Sequence, residues 1–141
     1  MSMAIRILVC LLLPICIVSC NTKHDNGSAS FEPDAEYIQI VLFHLEKRCA
    51  TCNAVENETL NVLEKHFQEE VKEGEIRMVA MNFQDSEGKK AAELLRASGQ
   101  TLFVVKGDSI TDLTSEAFMF AQTHPERYHA ALMDALEKRL N

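Results

Sequence analysis

Two cysteines three positions apart, Cys49 and Cys52, are the residues of this chain best suited to chemistry. Of the five cysteines in the sequence, the other three fall within the first twenty residues. Thiols at this spacing can alternate between a dithiol and a disulfide, because one cysteine forms a mixed disulfide that the other resolves. The same sulfurs can instead supply half of a soft-metal site, or form a purely structural disulfide. We favour redox or ligand chemistry, since the pair stands alone in the predicted domain at the exposed start of a helix.

Groups beside the cysteines predict a reactive thiolate. Lys47 and Arg48 directly precede Cys49, and both positive charge and a helix N-terminus lower the pKa of a nearby thiol. His44 lies five residues before Cys49 and is a candidate base or charge partner. A histidine bonded only to backbone is an equally good interpretation of that position. The candidate catalytic residues are therefore Cys49, Cys52, Arg48 and His44.

A change in the period of the apolar residues divides the chain into strands and helices. Tyr37–Phe43 mixes branched and aromatic residues with one polar side chain, which indicates a buried central strand. From Cys52 to Val71 the inward residues recur at steps of three and four, the spacing of one helix face, and Gly74 is a suitable end for that helix. Further strands are predicted over 76–83, 101–106 and 109–113, and further helices over 89–97 and from 115 onwards.

The same patterns give several side chains a specific place. Leu94 is predicted to face inward from the short helix. Met119 is one of four methionines predicted to fill the core. Thr123 and Glu126 resemble a capping box that restarts the last helix. His129, close to that start, is predicted to be solvated.

The predicted order β-α-β-α-β-β-α, with the cysteine pair at the start of the first helix, resembles the thioredoxin fold across roughly residues 36–140. The resemblance implies an α/β class: a single thioredoxin-like domain with a mixed central sheet of about four strands flanked by helices. It implies that Cys49 is the exposed attacking cysteine and Cys52 the more buried resolving one. It also implies a thiol/disulfide oxidoreductase without a bound cofactor, whose partner is a redox protein carrying a dithiol.

A narrower resemblance is carried by the residues around the pair, Phe43-His44-x-x-x-Arg48-Cys49-x-Thr51-Cys52-x-x-x-Glu56. This segment is similar to a small family of thioredoxin-like bacterial lipoproteins, the nitrophenyl-compound nitroreductase subunit family. Members often accompany arsenic-resistance or electron-transfer genes. The resemblance implies a role in a redox or nitroreductase system, but it adds little about mechanism.

Two departures from the thioredoxin pattern bear on function. The strand facing the dithiol normally follows a cis-proline, whereas this chain has no proline between Pro33 and Pro125 and places Gln100 there. A non-proline cis bond costs about 2.5–4 kcal/mol, so Gln100 is predicted to be trans. The carboxylate that assists the resolving cysteine is also absent, and Phe43 takes its approximate place. These departures favour one dedicated partner, or binding of a soft ion, over general thioredoxin activity.

The start of the chain predicts export and lipid attachment. Ile7–Val18 is an apolar run too short to span a membrane, which needs about 20 residues. The four residues that end at Cys20 resemble a bacterial lipobox, which implies a lipoprotein signal peptide over residues 1–19 and a lipid on Cys20. Residues 20–35 are then a flexible linker and residues 36–141 the domain. An uncleaved membrane anchor is the alternative.

This interpretation places the protein in a bacterial cell envelope, facing the periplasm and held at the membrane by lipid. Asn21 follows the cysteine, in place of the aspartate that often retains lipoproteins at the inner membrane, which slightly favours the outer membrane. The formal charge of −7, with no tryptophan and no basic patch, argues against nucleic acid as a partner.

Three functions remain open at this point. The first is a membrane-tethered thiol/disulfide redox protein with a dedicated partner. The second is binding of a thiophilic ion, such as trivalent arsenic, copper(I) or zinc, by Cys49 and Cys52 with His44 or a second subunit completing the ligands. The third is a non-catalytic accessory subunit that uses the fold as an interaction surface.

Overall fold

The computed structural model describes residues 30–141, so the predicted signal peptide and the lipid site at Cys20 lie outside the described residues. Within this range the elements are, in order, β1 (Ile38–His44), α1 (Ala50–His66), α2 (Gln68–Glu73), β2 (Ile76–Asn82), α3 (Ser86–Leu95), β3 (Thr101–Lys106), β4 (Ser109–Asp112), α4 (Thr114–Phe120) and α5 (Pro125–Leu140). None of the described helices has the length and apolar character needed to span a membrane.

The strands of the described region form one mixed sheet in the order β2-β1-β3-β4. β1 and β2 are parallel, while β3 runs antiparallel to both β1 and β4. Helices α1 and α2 make the long connection that two parallel strands require, and a tight turn joins β3 to β4. The element order and strand directions confirm the predicted α/β class, a single thioredoxin-like domain.

Alternate residues of β1 divide the core between the two faces of the sheet. Ile40 and Leu42 pack on the face covered by α1, α4 and α5, where Tyr128 is the largest fully buried side chain. Val41 and Phe43 pack on the other face, with residues of α3. Because both faces are covered, the sequence of β1 is apolar apart from Gln39 and the terminal His44, instead of alternating with polar residues.

The long helix predicted from the sequence is broken into α1 and α2. Phe67 has φ −133° and ψ 30°, which ends α1 and starts α2 in a new direction. Phe67 is buried, but Val71, predicted on the same inner face, is 41% exposed. The placement of Val71 was therefore wrong, because the helical period does not continue through the break. Gly74 does end the segment, with a left-handed φ of 81°.

Two other apolar placements were wrong. Leu94 is 61% exposed and Met119 is 64% exposed. The short helix α3 meets the core through Ala91 and Leu95, four residues apart, and this leaves Leu94 on its outer side. In α4 the buried position belongs to Ala117.

The C-terminal region forms two helices, and the second begins at Pro125 as predicted. The predicted capping box was wrong. The N-cap of α5 is His124, with no side-chain cap hydrogen bond. The Thr123 hydroxyl instead donates to the Met119 carbonyl oxygen at 3.3 Å. The predicted inner stripe of α5 is present, and Tyr128 is fully buried.

The residues just before β1 pack against the domain. Gln39 is fully buried, and its side-chain amide accepts from the Glu32 backbone N–H at 2.9 Å and donates to the Glu32 carbonyl at 2.6 Å. Phe31 packs against the core on the α3 side, and Ala35 is buried. Residues 31–35, which the sequence assigns to the linker, thus contact the domain.

Candidate active site

The β1–α1 loop places Cys49 at the N-terminus of α1. Strand β1 is paired on both sides, by β2 and β3, so its end at His44 is held in the middle of the sheet. Cys49 is the N-cap residue of α1 and has an extended backbone, with φ −86° and ψ 171°. No side chain caps this helix, so the N–H groups of its first turn are left to the cysteine sulfur and to solvent.

The two thiols differ sharply in exposure. The Cys49 and Cys52 sulfurs lie 3.6 Å apart, and both cysteines are free. Cys49 is exposed, whereas Cys52 is 0% exposed. A disulfide bond is about 2.0 Å long, so a modest approach of the two sulfurs closes it.

Hydrogen bonds to its sulfur lower the pKa of the Cys49 thiol. The backbone N–H of Cys52 is the largest cause, followed by the Cys52 thiol, and Thr51 contributes less through its backbone and hydroxyl. Each of these donors stabilises the thiolate more than the thiol. Cys49 is therefore the better nucleophile of the pair.

Burial raises the pKa of the Cys52 thiol, and the adjacent Cys49 thiol raises it further. The Cys49 backbone and, to a lesser extent, the Gln100 side chain lower the pKa of Cys52 through hydrogen bonds to its sulfur, and Gln100 donates through Nε2. The opposite shifts separate an exposed sulfur that ionises readily from a buried sulfur that holds its proton.

The other two predicted site residues make their contacts away from the sulfurs. Arg48 forms an ion pair with Glu56 in α1. The Nδ1 of His44 lies 2.9 Å from the Leu45 carbonyl oxygen, which is the backbone-bonded arrangement. Neither Arg48 nor His44 is among the groups that shift the pKa of Cys49. In this structure Arg48 ties the β1–α1 loop to the helix that carries both cysteines.

Sequence reasoning missed the contact between Gln100 and Cys52. No cis peptide bond occurs in residues 30–141, which confirms that Gln100 is trans. Thr101 pairs with Phe43 near the end of β1, so Gln100 lies at the same end of the sheet as the dithiol loop. The position of Gln100 could have predicted this contact, because it lies one residue before a strand predicted to face the dithiol.

Phe43, which takes the approximate place of the missing carboxylate in the sequence, lies among aromatic side chains. Its ring packs edge-on against Phe83 and Phe103, at centroid distances of 6.3 and 6.4 Å, on the α3 side of the sheet. Side chains alternate along a strand, so the neighbours Leu42 and His44 are the ones directed to the α1 side.

The prediction that His129 is solvated was wrong, because His129 lies in a contact between α1 and α5. His129, predicted to be solvated, lies with its Nε2 2.7 Å from Glu58 Oε2, and its side chain is only 23% exposed. The pairing exists because α5 packs beside α1, which the local sequence pattern does not reveal. In residues 30–141 no group of three or more His, Cys, Asp or Glu side chains is placed to hold a metal ion.

The loop that leads to Cys49 also has an exposed apolar side chain, since Leu45 is 37% exposed. The segment after α4 reaches the start of α1, where the Thr51 hydroxyl donates to Gln122 Oε1 at 3.3 Å. An exposed thiol with an exposed apolar side chain in the same loop suits contact with another protein.

No protein-family model matches the chain, and no curated protein matches it in sequence. Fold and site alone define its class: a thioredoxin-like domain with a Cys-x-x-Cys pair at the N-terminus of its first helix.

Proposed function

We propose that this protein is a thiol/disulfide redox protein, tethered to a bacterial membrane on its outer side, that acts through Cys49 and Cys52 on one dedicated partner protein. The observation that carries the proposal is the asymmetry of the pair. An exposed thiol with a lowered pKa lies 3.6 Å from a buried thiol with a raised pKa. That asymmetry suits one attacking and one resolving cysteine, and a structural disulfide does not need it.

The reaction with a partner disulfide takes two exchange steps. The Cys49 thiolate bonds to one partner sulfur, and the other partner sulfur leaves with the bonding electron pair and takes up a proton. Cys52 then loses its proton and attacks Cys49 Sγ. The Cys49–Cys52 disulfide forms, and the second partner sulfur leaves and is protonated. The partner gains two electrons and the protein loses two; the reverse sequence oxidises a partner dithiol.

A redox titration of the full chain tests this proposal. The protein is equilibrated in dithiol/disulfide buffers, its thiols are trapped, and it is digested with trypsin. Cleavage after Arg48 and Lys65 isolates residues 49–65, which contain Cys49 and Cys52 and no other cysteine. We expect a reversible two-electron transition between about −120 and −280 mV. A disulfide that resists reduction below about −300 mV would be structural and would contradict the proposal.

The dedicated partner can be captured with matched variants. Cys52→Ser removes the resolving thiol, so the mixed disulfide between Cys49 and its partner should persist. Cys49→Ser is the control and should trap nothing. Equal capture by both variants, or none by either, would count against a redox partner and favour an accessory subunit.

Membrane attachment is the part of the proposal that the sequence alone supports, through the lipobox-like residues that end at Cys20. The mass of the mature chain from bacterial membranes tests it. We expect a chain that begins at Cys20 and carries acyl groups, and a mature chain without acyl mass would contradict lipid attachment.

The second candidate function is binding of a thiophilic ion, and the sulfur–sulfur distance favours it. Two thiolates on a tetrahedral zinc ion, with bonds of about 2.3 Å, stand about 3.8 Å apart. The observed distance is 3.6 Å. A partner or second copy would have to complete the ligand set. Reduced protein that holds no stoichiometric zinc, copper(I) or arsenite against a competing chelator would dismiss this candidate.

A further inference from the structure

Gln100 lies where the chain returns from α3 to the sheet, at the end that carries the dithiol. Gly99 directly precedes it with φ 144°, a conformation that glycine adopts far more readily than other residues. Thr101 then enters β3 opposite Phe43 of β1. The turn and the strand register together hold the Gln100 side chain beside the start of α1.

The contact that Gln100 makes there is specific. Its Nε2 donates to Cys52 Sγ, although the two residues are 48 positions apart in sequence. Cys52 is 0% exposed, so water does not solvate its sulfur. Polar contacts to that sulfur come from the Gln100 amide and from Cys49, through both its thiol and its backbone. A proline at position 100 could not provide this side-chain donor.

An amide donor acts differently on the two states of a buried sulfur. A hydrogen bond to an ionised acceptor is roughly twice as strong as one between neutral groups. The Gln100 amide therefore stabilises the Cys52 thiolate more than the Cys52 thiol. Resolution of a mixed disulfide requires that thiolate, because Cys52 must lose its proton before it attacks.

We propose that Gln100 is a positioning residue for the resolving step, because its amide holds Cys52 Sγ and favours its ionisation at a site where water cannot. This inference rests on the proposed redox function. In the forward direction it speeds the attack of Cys52 on Cys49 Sγ, which closes the internal disulfide and releases the bound thiol as a protonated product. In the reverse direction it stabilises the Cys52 thiolate as the leaving group. The first attack by Cys49 does not depend on it.

The first test follows the ionisation of Cys52 through the pH dependence of its reactivity. In a Cys49→Ser background, the rate of iodoacetamide alkylation of Cys52 is followed against pH on tryptic peptide 49–65. Gln100→Leu keeps a similar volume and removes the donor, so we expect its profile to move to higher pH and its rate at pH 7 to fall about tenfold. Gln100→Glu places a like charge beside the sulfur and should move the profile further in the same direction. Because Gln100 is half-exposed, these changes should leave the fold intact, and thermal unfolding checks this.

The second test separates the two exchange steps. Reduced protein with both cysteines reacts with glutathione disulfide, and the glutathione adduct and the internal disulfide are both quantified on peptide 49–65. Gln100→Leu should form the adduct at the normal rate and close the internal disulfide about tenfold more slowly. Gln68→Leu is the matched control, since Gln68 is an exposed glutamine of α2. It should leave both steps unchanged.

These measurements distinguish failure of the role proposed for Gln100 from failure of the proposed redox function. If Gln100→Leu left both steps unchanged in a chain that cycles normally, the inference alone would be overturned. An equal effect of Gln68→Leu would overturn it as well. A wild-type chain that accumulates the glutathione adduct and never closes the internal disulfide would overturn the proposed function, and this inference with it.

Discussion

At the scale of single residues, Cys49 and Cys52 carry the same functional group in opposite environments. The N-cap position exposes one thiol and surrounds it with hydrogen-bond donors, and one helical turn further on the other thiol points into the core. Donors lower the pKa of Cys49, and burial raises the pKa of Cys52. The division of labour in the proposed mechanism follows from this difference in surroundings.

The difference between the thiols can be measured without a partner. In the reduced full chain, alkylation of Cys49 should begin at a lower pH than the ordinary thiol range near about 8.5, and alkylation of Cys52 at a higher pH. The thiolate is the reacting species, so Cys49 should be modified well before Cys52 at pH 7. Fragment masses of peptide 49–65 give the order, and the urea-unfolded chain, where the two rates should converge, is the control. Earlier modification of Cys52 would contradict the assignment.

The charge of Arg48 is paired differently from what its sequence position predicts. The sequence places it beside Cys49 and so predicts that its charge acts on the thiol. The structure directs the guanidinium to Glu56 instead, eight positions along the chain. Local sequence lists the charges near a site, but the path of the loop decides which of them pair.

At the scale of elements, the start of α3 is packed unusually closely against the end of β2. Asp85 caps the helix by accepting from the Gly88 backbone N–H at 2.7 Å. Gly88 is buried, and a Cβ atom at this position would overlap the carbonyl group of Asn82. Both contacted atoms belong to backbone, so neither can move aside as a flexible side chain could.

We expect Gly88→Ala to destabilise the domain by about 2–3 kcal/mol, because the added methyl group has no space without a shift of α3 or β2. Urea unfolding followed by circular dichroism measures the change. Glu87→Ala, at the exposed neighbouring position, is the matched control and should stay within about 0.5 kcal/mol of the wild type. Similar values for the two variants would show that the helix and strand separate at little cost.

The elements themselves were largely accessible to sequence reasoning. The apolar run of β1 and the helical period after Cys49 are local signals, and the structure has the corresponding elements. The errors fall where packing overrides the period, at the Phe67 break and at the exposed Leu94. A short helix has few positions that reach the core, and the sequence alone does not fix which ones do.

At the scale of the whole molecule, α5 joins the larger core to α1. Tyr128 is fully buried there, and its hydroxyl shares a hydrogen bond with Thr59 Oγ1. Thr59 also donates to the Val55 carbonyl oxygen at 2.7 Å, so the pair links two helices across the core. Burial raises the pKa of Tyr128.

Because of this burial, we expect the free energy of unfolding of the domain to decrease at alkaline pH. In the unfolded chain Tyr128 ionises near about pH 10, whereas in the folded chain it keeps its proton. The contribution of Tyr128 to the free energy of unfolding is complete below about pH 10. It is lost as the pH rises further, because the unfolded state then binds fewer protons than the folded state. We expect Tyr128→Phe to cost about 1 kcal/mol at pH 8 through the lost hydrogen bond, and to cost less at pH 11.

Urea unfolding at both pH values measures that difference. Tyr37→Phe is the control, because Tyr37 is the other tyrosine of the chain and is only half-buried. The effect of Tyr37→Phe on the free energy of unfolding should change less between pH 8 and pH 11. A Tyr128→Phe effect that is the same at pH 8 and pH 11 would contradict the assignment.

The sequence by itself determined the α/β class, the order of the elements and the position of the dithiol at the start of the first helix, because these depend on local periodicity and spacing. Only the tertiary structure decided that Gln100 meets Cys52, that His129 meets Glu58 and that Phe43 faces away from α1. The first two pairs join residues 48 and 71 positions apart. Such contacts arise when strand register and helix packing close long loops, and no local pattern encodes that geometry.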